Sequence, residues 1–260
     1  MRSANNAESL ISGLAANTPL SGGVFTLEFS WNGPAPKAGQ FFMIKPLRSS
    51  FLLGRPLSVM EWNGASRAVK FFITRRGKGT EELSQMRAGE EARLTGPLGN
   101  AWSDFLPAKG KTALVGGGAG VAPLAALVAE MGGGFHFYAG FKHGFRDKQE
   151  EAAMLGAALN AEKTFIVAED GKNALHGRVV DFFNAGGEYA AVFACGPEPM
   201  LQALKIKCDK AGLPCFISME RRMACGVGAC LGCAVRTVKG NRRCCADGPI
   251  FPAGELIFDE

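Results

Sequence analysis

Residues 111–131 read KTALVGGGAGVAPLAALVAEM. The apolar run through Val115 breaks into Gly116, Gly117, Gly118 and Gly120, and a helix-forming stretch follows at once. That is a strand, a glycine turn and a helix, the opening of an alternating α/β unit. The same rhythm continues downstream: GFHFYAGF then RDKQEEAAMLGAAL, KTFIVAED, GRVVDFFNAG, and AAVFACGP then PMLQALKIKCDKAG. Alternation of this kind builds an open parallel sheet with crossover helices, expected over residues 106–212. The glycine turn is where a dinucleotide comes close to the backbone, which makes Gly117, Gly118 and Gly120 candidate contacts. The turn departs from G-x-G-x-x-G because position 121 is Val, and no carboxylate closes the second strand, FYAGFKHG. The choice between NAD and NADP stays open on this reading. Cys195 falls at the end of a strand above the crevice expected there; it is a candidate catalytic group, weighed against a small buried hydrophobe.

Upstream of residue 106 the pattern is different. GGVFTLEFSW, GQFFMIKP, RPLSVMEW, AVKFFITR and EARLTGPLG are β-branched and aromatic segments punctuated by Gly, Pro and Asn. Their spacing predicts a small antiparallel β-barrel over residues 1–105. One helix interrupts it, KGTEELSQM, with Thr80 placed as its N-cap and the N–H groups of Gly79 and Thr80 forming an anion seat. Residues 106–111 are the linker between the two units.

Downstream, residues 220–251 read ERRMACGVGACLGCAVRTVKGNRRCCADGPIF and hold five of the eight cysteines. Cys225, Cys230 and Cys233 are spaced C-x4-C-x2-C, which is the plant-type [2Fe–2S] spacing with a fourth cysteine further on. Gly226, Gly228 and Gly232 are expected to let the loop curl so that backbone N–H groups face the cluster. The fourth ligand is Cys244 or Cys245. A zinc site is the competing reading, but zinc favours paired C-x2-C knuckles and only one is present. Cys208 and Cys215 read as buried fillers, and the three histidines stand apart from the cysteines. Residues 205–243 carry nine Lys/Arg against Asp209 and Glu220, a net charge of +7.

A [2Fe–2S] cluster moves one electron at a time, so a flavin is the expected companion. In the barrel, Arg55 of RPLS is placed to pair with a flavin phosphate or ribityl oxygen, and Ser58 to hydrogen-bond the flavin ring near its reactive nitrogen. Composition agrees with a globular protein: 47% of the 260 residues are hydrophobic and 20% charged. No apolar run reaches the roughly 20 residues of a membrane span, and no signal-type stretch follows the start. The expected compartment is the cytoplasm. A net charge of +5, without interleaved aromatics, does not point to nucleic acid.

The motifs RPLS, GKGT, GPLGNAW, GGGAGVAPL, EDG with HGRVVDFF, ACGPEPML, and MACGVGACLGCAV with CADGPIF occur in an order that resembles the ferredoxin-reductase superfamily. Within it, the chain is similar to the electron-transfer subunits of the class 1B dihydroorotate dehydrogenases. The resemblance spans nearly the whole chain, and the cysteine motif is its specific part. It implies an FAD-binding barrel over 1–105, a nicotinamide-binding domain over 106–212 and a [2Fe–2S] domain over 213–260. It implies Arg55, Pro56, Leu57 and Ser58 as one FAD segment, Phe72, Ile73 and Thr74 as a second, and Gly79 with Thr80 at the phosphates. It makes Cys245 the fourth cluster ligand and Cys244 a bystander. The implied role is a relay between an FMN-containing dihydroorotate dehydrogenase catalytic subunit and NAD, through [2Fe–2S] and FAD, in a heterotetramer of two catalytic and two relay subunits. A flavoprotein subunit of a sulfhydrogenase or of an NADH-dependent ferredoxin:NADP oxidoreductase shares this architecture; a zinc-stapled binding module is the reading from another class.

Overall fold

A computed structural model describes residues 7–186 and 188–258. Its N-terminal part is a closed antiparallel barrel of six strands: β1 Glu8–Pro19, β2 Val24–Ser30, β3 Phe41–Pro46, β4 Arg55–Asn63, β5 Ala68–Thr74 and β6 Glu91–Leu98. The order around it is β1-β2-β5-β4-β3-β6, and β6 pairs with β1 to close the ring. Alternate residues fill the interior. Phe25, Leu27 and Phe29 of β2 and Val69, Phe71 and Ile73 of β5 share one core with Trp31 and Phe42, as the period-two geometry of strands demands. The sequence reading missed β1, whose ESLISGLAANTP has little β-branched or aromatic character. It is held by pairing on both of its edges instead.

Helix α1, Lys78–Ser84, lies between β5 and β6. It begins earlier than expected: Gly77 is the N-cap and Thr80 the third residue of the helix. From there the Thr80 hydroxyl reaches back and accepts the N–H groups of Arg76 and Gly77 at 2.9 and 3.2 Å.

The second unit is built on β7 Lys111–Gly117, β8 Phe135–Phe141, β9 Lys163–Ala168, β10 Leu175–His176, β11 Tyr189–Cys195 and β12 Cys215–Ser218, all parallel. Their crossovers include α2 Val121–Met131, α3 Lys148–Leu155, α4 Val179–Phe182 and α5 Glu198–Ala211. The cysteine segment adds the hairpin β13 Ala234–Thr237 and β14 Gly240–Arg243, the one-turn helix α6 Cys244–Asp247, and β15 Ile250–Pro252. Strand β15 returns to the large sheet antiparallel to β12, giving the order β10-β9-β8-β7-β11-β12-β15. The sheet thus takes two strands from the cysteine-bearing end of the chain.

Barrel and sheet are packed against each other. Ala38, Met60, Phe72 and Trp102 from the first unit share a core with Val121, Leu124 and Phe193 of the second. Trp102 stacks on Phe193 at 4.9 Å and donates to the Pro123 carbonyl. Two carboxylates reach across the boundary. Glu130 accepts the Ala38 N–H at 2.7 Å, and Glu150 accepts the Ser21 N–H at 2.8 Å as well as the backbone and side-chain N–H groups of Arg146.

Burial alone would raise the Glu150 pKa, but the bonds from Ser21 and Arg146 outweigh it and hold the group at about 2 against an ordinary 4.5. A carboxylate with a depressed folded pKa stabilises the protein above its unfolded pKa, and that stabilisation is lost as pH falls toward the folded value. Glu150→Gln is therefore expected to cost about 1–3 kcal/mol at neutral pH. Thermal unfolding between pH 5 and 2 should show a flatter loss of stability in the variant than in the parent.

Candidate electron-transfer site

The cysteines are brought together by two devices, a left-handed loop and the base of a hairpin. In the loop, Gly226 and Gly228 have φ of 72° and 83°. The third left-handed residue is Leu231 at φ 60°, not the expected Gly232. A leucine there is strained, and its side chain is two-thirds exposed. Gly226 presses on Met43 and Leu98, which seats the loop against the barrel; a Cβ there would come within 2.7 Å of Met43.

The loop turns its N–H groups inward. Partial burial pushes the Cys225 thiol up, and bonds from the backbone of Cys230, Val227 and Ala229 and from the Cys230 side chain outweigh it, bringing it down to about 6. At the hairpin, Cys233 precedes β13 and Cys245 follows β14, and their sulfurs lie 3.3 Å apart. Burial and the bond to Cys233 push the Cys245 thiol up to about 12, while the Gly228 backbone N–H opposes this. Cys225 meets Cys230 within the loop and is near enough to act on Cys245, which pairs with Cys233; Cys230 is the exposed member, and among the described residues no three of these side chains converge as a ready-made metal site. The donor set fits an iron–sulfur cluster: four thiols, no carboxylate among them, and backbone N–H groups directed at sulfur. Cys244 is turned elsewhere. It is fully buried and donates to the Met219 carbonyl at 2.9 Å.

The cationic excess around this site is largely paired. Arg243 forms a two-pronged bond with Asp247 at 3.0 Å on each arm, Arg221 meets Glu198, Lys239 meets Glu255 and Lys205 meets Asp209.

On the barrel, Arg55 opens β4 with its guanidinium directly over Gly79 of α1, so that any side chain at 79 would occupy the same space. It also lies 5.5 Å from the centre of the Phe51 ring. Among the described residues no carboxylate pairs with it, which leaves its charge for an anion. A narrow cleft joins it to Ile44, Ser49, Leu53 and Glu82. An uncompensated Arg against a buried Gly at a helix start fits a dinucleotide phosphate.

Pro56 and Ser58 alternate with Leu57, whose side chain packs on the barrel core. They stand on the outer face with Met60, which packs against the sheet unit. Of the second expected FAD segment, Ile73 points into the barrel and Phe72 into the shared core. Their side chains are spent on packing, and Thr74 is the half-buried member of the three.

In the large sheet the chain order reverses between β7 and β11, since β8 to β10 extend one way and β12 the other. Ligands of open α/β sheets bind at the carboxyl ends of strands at such a point. Both strands end in glycine turns pressed together. A Cβ on Gly117 would lie 2.8 Å from Pro197 and from Met200, and one on Gly120 would fall on the Cys195 carbonyl. Gly118, at φ 54°, faces open space. Cys195 is buried beside Ser218, and burial pushes its thiol well above the ordinary range, with Glu220 adding to the effect.

Glu220 was not singled out from the sequence. Glu220 is exposed at the surface, yet desolvation by surrounding protein raises its carboxyl pKa, opposed by Arg76. It is close enough to act on Cys195 and Cys244, so it marks the junction of barrel, sheet and cysteine segment. Only its place directly before RRMACG hinted at this.

Residues 220–257 match the model of the iron–sulfur cluster binding domain of dihydroorotate dehydrogenase B. The electron-transfer subunit of dihydroorotate dehydrogenase B (NAD(+)) from Clostridium acetobutylicum is 37% identical over 229 residues, covering 86% of this chain and 87% of the relative. That from Caldanaerobacter subterraneus is 37% identical over 249 residues, covering 94% and 96%. The chain belongs to this family of electron-transfer subunits. Among solved structures, the NADH-dependent reduced ferredoxin-NADP oxidoreductase has a TM-score of 0.80 at 22% identity, covering 95% of this chain and 90% of that one. A cytochrome P450 reductase from Amycolatopsis gives 0.66 at 20% identity, covering 81% and 68%. Both establish the ferredoxin-reductase-like fold. Family membership and the matched iron–sulfur segment, not the fold alone, carry the cofactor set FAD, [2Fe–2S] and NAD.

Two variants test the site. Cys244→Ser is expected to keep its iron and Cys245→Ser to lose it, read by iron content and the EPR signal of the reduced protein. Arg55→Ala is expected to weaken FAD by about 1.5–3 kcal/mol, on the order of tenfold to a hundredfold, read by fluorescence of released flavin.

Proposed function

We propose that this chain is the relay between an FMN-containing dihydroorotate dehydrogenase catalytic subunit and NAD+, acting in pyrimidine biosynthesis in the cytoplasm. The carrying observation is the thiol set at the base of the β13–β14 hairpin, lying within the segment that matches the family's iron–sulfur domain. Bound FAD supplies the exchange between one- and two-electron chemistry, and the [2Fe–2S] cluster supplies one-electron transfer.

The chain's own residues position these groups. Cys225, Cys230, Cys233 and Cys245 are the proposed cluster ligands, and the exposure of Cys230, with Val227 and Leu231 beside it, supports the loop tip as the side met by the partner. Arg55, Gly79 and Thr80 hold the flavin phosphates. The backbone of residues 56–58 and 72–74 lines the flavin, and Ser58 offers a hydroxyl toward its ring from the barrel face that turns to the sheet. Gly117, Gly118 and Gly120 let the dinucleotide approach the backbone at the switch point.

Cys195 keeps its proton at neutral pH, because burial disfavours the thiolate. It acts as a small neutral wall or weak donor beside the nicotinamide and not as a nucleophile. The proposed units are 1–105, 106–212 and 213–260, and the proposed assembly is a heterotetramer of two catalytic and two relay subunits. No described helix is long and apolar enough to cross a membrane.

The two ends of the relay should separate by mutation. A folded, flavin-replete Cys230→Ser variant is expected to oxidise NADH with an acceptor that draws on flavin directly, yet to fail in exchange with the catalytic subunit. Circular dichroism and flavin content are checked first, because small metal-bound domains unravel when the metal is lost. Normal exchange with the partner would sink the reading.

A further inference from the structure

The loop between β3 and β4, residues 47–54, forms one wall of the Arg55 cleft. Its sequence, LRSSFLLG, is apolar for a surface turn, yet polar bonds fix it. Arg48 pairs with Glu90 at 2.6 Å and donates to the Gln85 carbonyl at 3.3 Å. Ser49 donates to the Glu82 carboxylate at 2.5 Å, and its hydroxyl oxygen accepts the Phe51 N–H at 3.1 Å. The loop is thereby pinned to α1, and the line of bonds from Glu82 through Ser49 ends on the backbone of Phe51. That residue is half-buried, with the Arg55 guanidinium 5.5 Å from its ring centre. Packing alone does not account for this. Leu52 next to it is left 85% exposed, while the bonds hold Phe51 beside an arginine that no carboxylate pairs among the described residues.

The course of the chain says what this wall faces. Strand β4 runs from Arg55 past Pro56 and Ser58 to Met60, which packs against the sheet unit. A dinucleotide with its phosphates at Arg55 and its flavin ring along residues 56–58 must send its adenosine the other way, past Leu53 and Phe51. The cleft follows that course. It takes in Gly79, under Arg55, and Glu82, three residues on along the same face of α1, with Ile44, Pro46 and Leu53 as apolar walls. An aromatic ring among apolar side chains, with a cation on one side and a carboxylate within reach, is the chemistry of a purine site. It offers a flat face to stack on and an acceptor for an amino or ribose hydroxyl group.

We infer that Phe51 is the stacking platform for the adenine of FAD, held in position by the Glu82–Ser49 bond, and that this loop makes the site select FAD over FMN. The inference rests on the placement of the FAD phosphates at Arg55. FMN carries the same ring and one phosphate, enough for residues 55–58 and Gly79, and has nothing to offer Phe51. Selection between the two flavins therefore falls to the loop and not to the phosphate seat.

The full chain with its cluster is stripped of flavin and titrated with FAD and with FMN, binding being read by flavin fluorescence. Phe51→Ala is expected to weaken FAD about fivefold to a hundredfold, the range of one base–aromatic stack, and to leave FMN unchanged. Phe51→Tyr, which keeps a ring, should hold FAD at the parental level. Ser49→Ala should lower the ratio of FAD to FMN affinity by less than Phe51→Ala does, whereas a merely structural role would move both flavins together. The inference is overturned if Phe51→Ala weakens FAD and FMN alike, or weakens neither. Arg55→Ala, titrated alongside, separates this failure from that of the underlying site. If it weakens both flavins while Phe51→Ala spares FAD, only the adenine assignment falls; if it weakens neither, the phosphate placement falls as well. A competition on the parent chain decides even if Phe51→Ala does not fold. ADP should displace FAD at concentrations where inorganic pyrophosphate does not, and equal displacement by the two would rule out an adenine subsite.

Discussion

Asn100 sits where the three parts of the chain meet. Its side chain donates to the Ile250 carbonyl at 2.9 Å and accepts the Ile250 N–H at 3.0 Å, and its own N–H donates to the Gly248 carbonyl at 2.7 Å. Ile250 opens β15, the strand that joins the cysteine segment to the large sheet. Gly248 ends α6, the turn that carries Cys244 and Cys245. One residue just past the last barrel strand therefore fixes the edge of the parallel sheet and the position of a proposed cluster ligand together. Slipping β15 by one residue would break all three bonds and strand buried polar groups, each costing about 1–3 kcal/mol. The cysteine segment is held in register by this demand before any metal arrives.

That stitching ties the cysteine segment to barrel and sheet together. A relay needs fixed separations between its groups, because the protein contributes distance and orientation while the cofactors supply the chemistry. The shared cores meet this need. Phe41, Met43 and Leu98 of the barrel pack with Val115, Ile217 and the buried cysteines, and on the other side Trp102 of the first unit stacks on Phe193 of the sheet. The Glu130 and Glu150 carboxylates close the remaining gap with backbone bonds, which are directional where apolar packing is not. The short linker then has little to do, since the interface itself sets the angle between barrel and sheet.

Much of this was legible in the sequence, for identifiable reasons. Segments such as FFITR and ALVGGG carry the period and the punctuation of their elements, and the C-x4-C-x2-C spacing is set by the dimensions of the group it serves. What escaped was fixed by tertiary contact. Strand β1 has no strong propensity of its own and exists because two neighbours pair with it. Thr80 proved to be three residues into its helix, because Gly77 takes the cap and leaves the hydroxyl to reach back. Leu231, and not Gly232, bears the left-handed turn, which its residue type does not signal. Glu220 acquires its raised pKa from burial by its surroundings, against the pull of Arg76, which is distant in sequence.

The adjacency of Cys244 and Cys245 shows how local geometry separates two residues that residue type leaves alike. Both lie on α6, and successive residues of a helical turn point roughly 100° apart. Cys245 turns to Cys233, whose sulfur also accepts the Cys245 N–H at 3.5 Å. Cys244 must then point into the core, where the Met219 carbonyl offers a single acceptor in an otherwise apolar setting. A thiol suits that place because it is a small apolar group with one weak donor. A hydroxyl would keep the bond and lose only a little volume. At position 245 the same exchange removes a soft anionic donor that nothing nearby replaces, since Cys244 cannot turn toward the loop without abandoning its bond and opening a void beside Met219.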